Sequence, residues 1–430
     1  MGGFFSPSEA SNRRRALNAS AGAASHAPPF EYVLFALALA GLAAGAVAIA
    51  LGYLDTPTAK LVVGDWYLLT SGLIIVAAAG SQPRRILSTA ALAGLLAAAL
   101  YLPLKLAGVS VAPKSYVKAG VALASTAAMA AQFGVGLRSG RGWRDNRDLA
   151  VACFAVALVV TPLMSGWGIQ ISAAIPQTFD ATALRMDDAF GFRAPAWLRD
   201  HVSASGAVSY LVFHVYISIS LAMVGYDLLA GDTRDWRMTK LMLVSSLLGF
   251  VAYFIAPTVG VAYFEGYDGS RALQDIVAQT SAAAASLPRN AMPSLHTTWG
   301  AMLIVTALAQ PAAGPWRGAI AALYVVYGLL TICGALTSGD HYLIDCIVAL
   351  PFAASILLSF EDAETRARSG FQPCFIAGVF LFAAWIAMLR IGGDLIGPPL
   401  VLAMSAASIA QFAATGVLLR NARRSAPGWT

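Results

Sequence analysis

A chain of 430 residues that is 58% hydrophobic and only 12% charged, with a mean hydropathy of +0.69, is far more apolar than a soluble domain, which carries about 25% charged residues. The composition excludes a soluble globular enzyme, and the lack of an alternating pattern excludes a β-barrel, leaving an all-α polytopic membrane protein. The formal net charge of +6 is no footprint of a nucleic-acid partner, because many basic residues sit in short loops between apolar spans, where they set topology.

Taken in chain order, residues 1–30 are small and polar around Arg13-Arg14-Arg15 and read as a disordered cytoplasmic tail. Apolar runs at 32–53, 62–80, 86–107 and 116–137 form an accessory four-helix region within 31–147. It carries no motif and serves as a structural or partner-binding bundle. Six further spans follow, at 149–171, 206–230, 239–258, 294–310, 316–336 and 341–360, making a unit over 148–360. Two more, 371–390 and 396–419, with a short tail, complete 361–430 and bring the count to about twelve. With the N-terminus inside, 18 of the 28 basic residues fall on the cytoplasmic side. That bias places both termini in the cytoplasm. The preference for arginine over lysine reads as GC-rich bacterial coding, hence a bacterial inner membrane. The two longest loops, 172–205 and 259–293, lie outside. The stretch Phe179–Phe192 in the first is expected to lie as an amphipathic helix at the membrane interface. Cys153, Cys333, Cys346 and Cys374 have no metal-ligand spacing and read as small buried hydrophobes. No metal or other cofactor is expected.

Two motifs concentrate the polar chemistry. Arg289-Asn290-Ala291-Met292-Pro293-Ser294-Leu295-His296 opens the eighth span, and Ser338-Gly339-Asp340-His341-Tyr342-Leu343-Ile344-Asp345 opens the tenth. Both spans enter from the outside, so two of only five histidines share one membrane face. Histidine is costly near a membrane interior and suited to proton transfer or nucleophilic attack. If the tenth span is helical from about His341, Asp345 lies on the same face, where a carboxylate fixes the tautomer and charge of the imidazole. The same pair also serves simply to pin a helix end. Pro293-Ser294 reads as a helix start whose free N–H groups, with the Ser294 hydroxyl, suit a phosphate. An ordinary N-cap has the same sequence.

Together the motifs resemble the type 2 phosphatidic acid phosphatase superfamily, in which Pro-Ser-x-His precedes His-Tyr-x-x-Asp. The run His341–Val348 resembles most closely the lipid phosphotransferase branch that includes inositol phosphorylceramide synthases and sphingomyelin synthases. The resemblance implies a six-helix catalytic core over about 149–360, roughly half the chain. It implies that His341 attacks phosphorus to form a phosphohistidine, that Asp345 orients it, and that His296 protonates the leaving oxygen. It also implies a donor in the bilayer, a phospholipid or polyprenyl phosphate, and an alcohol or lipid acceptor.

The departures are informative. The phosphatase pattern has Ser-Arg where this chain has Gly334 and Ala335, its Lys–Arg-Pro motif has no clear copy, and Leu295 replaces the commoner glycine. These differences favour a transferase and leave the phosphate-binding cation to Arg289 first and Arg271 second, each also readable as a solvated loop charge. Asn290 is a candidate to orient the His296 turn. Tyr253–Phe264 resembles a Tyr-x-x-x-Pro stretch of the synthase branch, so Tyr253 and Tyr263 are candidates for headgroup contact, or anchors at the interface. His214, four residues after Tyr210, either lines the cavity or packs in the core. A simple lipid phosphate phosphatase is the alternative reading. A secondary transporter is the rival from another class, disfavoured because polar motifs cluster at one face instead of the midplane.

Overall fold

The computed structural model describes residues 178–229, 237–263, 291–309, 315–368, 370–391 and 396–424, with scattered positions between 88 and 99. The tail and the first five predicted spans otherwise lie outside the described residues. Arg271, Arg289 and Asn290 do so too. The described residues form eleven α-helices and one 3-10 turn, with no strand among them. A total of twelve spans is therefore not shown.

The helices are α1 (Asp180–Asp188), α2 (Ala194–Ser203), α3 (Gly206–Ile217), α4 (Ile219–Leu229), α5 (Arg237–Ile255), α6 (Leu295–Ala309), α7 (Pro315–Thr337), α8 (Leu343–Ser359), α9 (Ala363–Arg366), α10 (Phe371–Ile391) and α11 (Pro398–Arg424), with the 3-10 turn at Val261–Tyr263. Helices α5, α10 and α11, and Gly318–Thr337 of α7, are long and apolar enough to cross a membrane. The predicted span 206–230 is two helices meeting at Ser218, whose hydroxyl lies 2.5 Å from the His214 carbonyl and from the Tyr327 hydroxyl.

Helices α6 and α8 have only 15 and 17 residues. At 1.5 Å per residue they reach about 22 and 25 Å, short of a bilayer core of about 30 Å. The chain ahead of each is irregular, and irregular backbone at membrane depth needs partners within the protein. It has them. Ala291 N–H donates to Thr258 O at 3.0 Å and Ser294 N–H to Asp345 O at 3.4 Å.

Helix α6 packs closely on α7, α8 packs on α10 and α11, and α3 runs along α7. The α6–α7 crossing is tight because two glycines face each other. A Cβ on Gly300 would meet Gly328 O at 2.9 Å, and one on Gly328 would meet Gly300 O at 2.6 Å. Close approach through small residues is the usual device where lipid removes the hydrophobic drive between helices. Away from the histidine motifs, Asp227 accepts the N–H groups of Met238 and Thr239 at 2.9 and 2.8 Å, capping α5, and Arg237 pairs with Glu361.

Helix α1 corrects the expectation of a helix lying in the membrane interface. Six of its nine residues are buried, Asp180 and Asp187 among them. Its apolar side packs with Ile344, Val348 and Trp385, so protein takes the place expected for lipid.

Candidate active site

The second histidine motif is a turn. Tyr342 is the N-cap of α8, with extended backbone (φ −76°, ψ 159°), and Asp345 is the third helical residue. Asp345 Oδ2 accepts the Tyr342 N–H at 2.8 Å, closing a capping box. His341 therefore stands ahead of the helix, and a shared helical face does not bring it to Asp345. The two approach because the carboxylate folds back over the cap, leaving Nδ1 and Oδ2 3.8 Å apart. The hydrogen bond of Nδ1 goes to the carbonyl of Ala291, at 2.9 Å. A carbonyl only accepts, so Nδ1 carries the proton, and Nε2 of the neutral ring keeps the lone pair.

The first motif locks onto the second. Helix α6 begins at Leu295, and the Ser294 hydroxyl accepts the Thr297 N–H at 3.2 Å. Ser294 is completely buried and its oxygen caps the helix, the ordinary N-cap that the same sequence also allows. Thr297 Oγ1 donates to Cys346 Sγ at 3.2 Å, a second link between α6 and α8. His296 follows the cap directly. Its ring stacks on Tyr216 (centroids 4.0 Å, 30°), leans on Trp299 (5.7 Å) and lies 6.1 Å from the His341 ring. His296 is half-buried and His341 is buried. The structure thus brings His296, His341 and Asp345 together from residues up to 49 positions apart.

Support comes from α1 and the stretch before the 3-10 turn. The Asp187 carboxylate accepts the N–H groups of Leu343 (2.9 Å) and Ile344 (2.8 Å), two donors that α8 cannot satisfy internally. Asp180 Oδ1 accepts the Tyr342 hydroxyl and the Val259 N–H, both at 2.7 Å. Burial pushes the Asp180 carboxyl above the usual carboxylate range, against the pull of the Tyr342 and Val259 hydrogen bonds. Gly260 has φ +115°, and a Cβ there would meet Asp340 O at 2.4 Å. Ala262 N–H donates to Gly339 O at 2.8 Å. The Tyr253–Phe264 stretch, singled out from sequence for Tyr253 and Tyr263, touches the site through the backbone of Val259, Gly260 and Ala262.

The other expected contacts fall in different places. Tyr253 is buried in the core, its hydroxyl against the Leu295 backbone, beneath the first motif. His214 is buried against Tyr210 (centroids 4.4 Å) and Phe213 (5.4 Å), and the residue of α3 that reaches His296 is Tyr216. Its hydroxyl donates to Asp340 Oδ2 at 3.1 Å. The side chain of Tyr263 lies outside the described residues.

A cavity of about 100 Å³ opens beside Tyr216, lined also by Arg199, Ser209, Gly334 and Ser338. Gly334 packs so tightly that a Cβ would meet Tyr216 Cβ at 2.5 Å, and Ala335 is completely buried. The helix end at which the phosphatase pattern carries Ser-Arg therefore has no room for either. Arg199, Asp180, Asp187 and Tyr216 are not among the site residues expected from the sequence. A signal for the aspartates existed: carboxylates seven residues apart, two turns on one face, amid apolar residues, require polar partners. Among the described residues, no group of three His, Cys, Asp or Glu side chains is placed to hold a metal ion.

No curated protein and no solved structure matches the chain. Residues 181–359, which hold both histidine motifs and most of the helix beneath them, match the family model described as PAP2 superfamily, and this match supports the type 2 phosphatidic acid phosphatase superfamily and a membrane phosphatase or phosphotransferase activity.

Proposed function

We propose that the protein is an integral membrane lipid phosphotransferase, similar in reaction to inositol phosphorylceramide synthases, with its six-helix core over 148–360 and its site at the periplasmic face of the bacterial inner membrane. The observation that carries the reading is the paired rings: His341, its Nδ1 proton held by Ala291 O, and His296, 6.1 Å away. Nε2 of His341 attacks phosphorus of a phospholipid or polyprenyl-phosphate donor. The bond from phosphorus to the leaving oxygen breaks as His296 delivers a proton to that oxygen. Asp345, 3.8 Å from Nδ1, stabilises the positive charge that the His341 ring gains. An acceptor alcohol then enters, His296 takes its proton, the new oxygen bonds to phosphorus, and the phosphorus–nitrogen bond of the phosphohistidine breaks.

The closed end of α7 favours transfer over the plain phosphatase reading, because the arginine of the phosphatase pattern has no place at Ala335. Arg199, from α2, lines the cavity beside Tyr216, whose ring stacks on His296 at 4.0 Å, and through that adjacency it is the cation we assign to the phosphate oxygens, with Ser338 as a neighbouring hydroxyl.

Purified protein given radiolabelled phospholipid or polyprenyl-phosphate donors, with and without alcohol acceptors, tests the assignment. The expected result is label on the acceptor lipid, and acid-labile label on wild-type protein but not on His341→Ala. Release of label to water alone would replace transfer by hydrolysis. Equal activity of His341→Ala would remove the nucleophile.

A further inference from the structure

A groove of about 720 Å³ runs between α5, α8 and α10. One of its walls, α10, lies beyond the segment that matches the family model. Along α5 its lining extends from Val244 to Ile255, about 17 Å at 1.5 Å per residue. That is close to one leaflet of a hydrocarbon core of about 30 Å. Among the described residues its lining is apolar except for Ser355, Ser359 and one cation, Arg390.

Arg390 stands at the mouth of the groove, where α5 and α10 both end. Its Nη1 donates to Ile255 O at 2.5 Å, and its guanidinium lies 5.3 Å from the Phe179 ring centroid. These contacts fix an exposed guanidinium that has four further N–H groups. An apolar slot one leaflet deep, closed at its polar end by a held arginine, complements a molecule with an acyl chain and a phosphate.

We propose that the groove holds a resident membrane phospholipid, one acyl chain along α5 and α10 and its phosphodiester on Arg390. Neither His296 nor His341 lines it. Between Arg390 and His341 come Phe179, Asp180 and Tyr342, the last two joined by a 2.7 Å hydrogen bond. The lipid is thus a bound component that bridges α10 to the core, separate from the substrate. The exposed faces of α7 (Val326, Leu329) and α11 (Ile409, Val417) are the internal comparison, since they are apolar and lie outside the groove.

The test uses the full chain in nanodiscs of phosphatidylcholine containing phosphatidylglycerol with a photoreactive acyl chain. Adducts mapped by peptide mass spectrometry are expected on groove residues of α5 and α10 well above those on α7 and α11. Ala383→Trp with Ala387→Trp, both on the exposed side of α10 and in the groove lining, should fill the slot and remove the groove adducts. Should that variant fail to fold, Arg390→Gln serves instead. It is expected to lower phosphatidylglycerol retained through purification about tenfold, as loss of one charge-assisted contact would. Even labelling of all four helices, or retention unchanged in Arg390→Gln, overturns the proposal. A groove adduct whose headgroup is lost in wild type and kept in His341→Ala would show the occupant to be substrate and overturn its assignment as resident. Intact adducts in both proteins support it, whatever the outcome of the transfer assay.

Discussion

His341 Nδ1 donates to the backbone carbonyl of Ala291 at 2.9 Å, while the Asp345 carboxylate stands 3.8 Å from the same nitrogen. Tautomer and charge are therefore controlled by different groups. Asp345→Asn keeps an oxygen to cap Tyr342 and removes only the charge. At about 4 Å and an effective dielectric near 20, that charge is worth up to about 4 kcal/mol to an imidazolium, or about 10³ in rate. We expect kcat to fall by up to that factor, with thermal stability nearly unchanged. Asp345→Ala should lose the rate and, with the cap, about 1 kcal/mol of stability. Equal melting temperatures for Asn and Ala would refute the capping role.

His296 is assigned to proton transfer and not to bond formation with phosphorus. His296→Ala should reduce turnover of a natural donor by about 10²–10⁴-fold, the usual worth of a positioned acid. A donor whose leaving group needs no protonation, such as a nitrophenyl ester, should recover much of the first step. An equal deficit with both donors would point to a structural role through the Tyr216 stack.

Asp187 acts at a distance, through the start of α8. Asp187→Ala leaves the Leu343 and Ile344 N–H groups without their acceptor, a loss of about 1–3 kcal/mol. The measurement is denaturant or thermal unfolding in detergent. A variant as stable as wild type would mean that other groups satisfy this helix end.

For Arg199, removal of the cation should weaken substrate binding and phosphate stabilisation together. Arg199→Gln is expected to lower kcat/KM by about 10–100-fold, as for a lost charge-assisted contact of about 1.5–3 kcal/mol. Arg199→Lys should restore part of it. Unchanged kinetics in Arg199→Gln would return the role to Arg289 or Arg271 in the loop before the first motif.

Asp180 gives a pH signature. Burial raises its carboxyl in the folded protein, so between the unfolded and folded titrations the native state holds the extra proton. Stability is then greatest below the unfolded value and falls as pH rises through the folded one. Melting temperatures across the acid range should show this decline in wild type and a shallower one in Asp180→Asn. Parallel profiles would exclude Asp180 as its source.

The apolar runs locate α5, α7, α10 and α11 within a few residues of the predicted spans, because a helix in lipid must satisfy its own backbone and so shows itself as a continuous apolar segment. The two histidine motifs were legible for a related reason: polar residues at span ends stand out where charge is expensive. Local spacing misled at His341, since the i,i+4 rule assumes a helix that in fact begins two residues later at Leu343. The Ser294 hydroxyl suits a phosphate or an N-cap equally in sequence, and only the fold shows its oxygen enclosed at the cap.

By itself, then, the sequence determined the membrane-type helices, the two histidines and their shared face, all properties of short segments and their order. Tertiary structure alone decided which groups serve those histidines. Ala291 holds His341 from 50 residues away, Tyr216 stacks on His296 from 80, and Asp180 and Asp187 reach the second motif from more than 150. None of these pairings has a sequence period, because each arises where separate helices end beside one another and their unsatisfied backbone groups must find partners out of water.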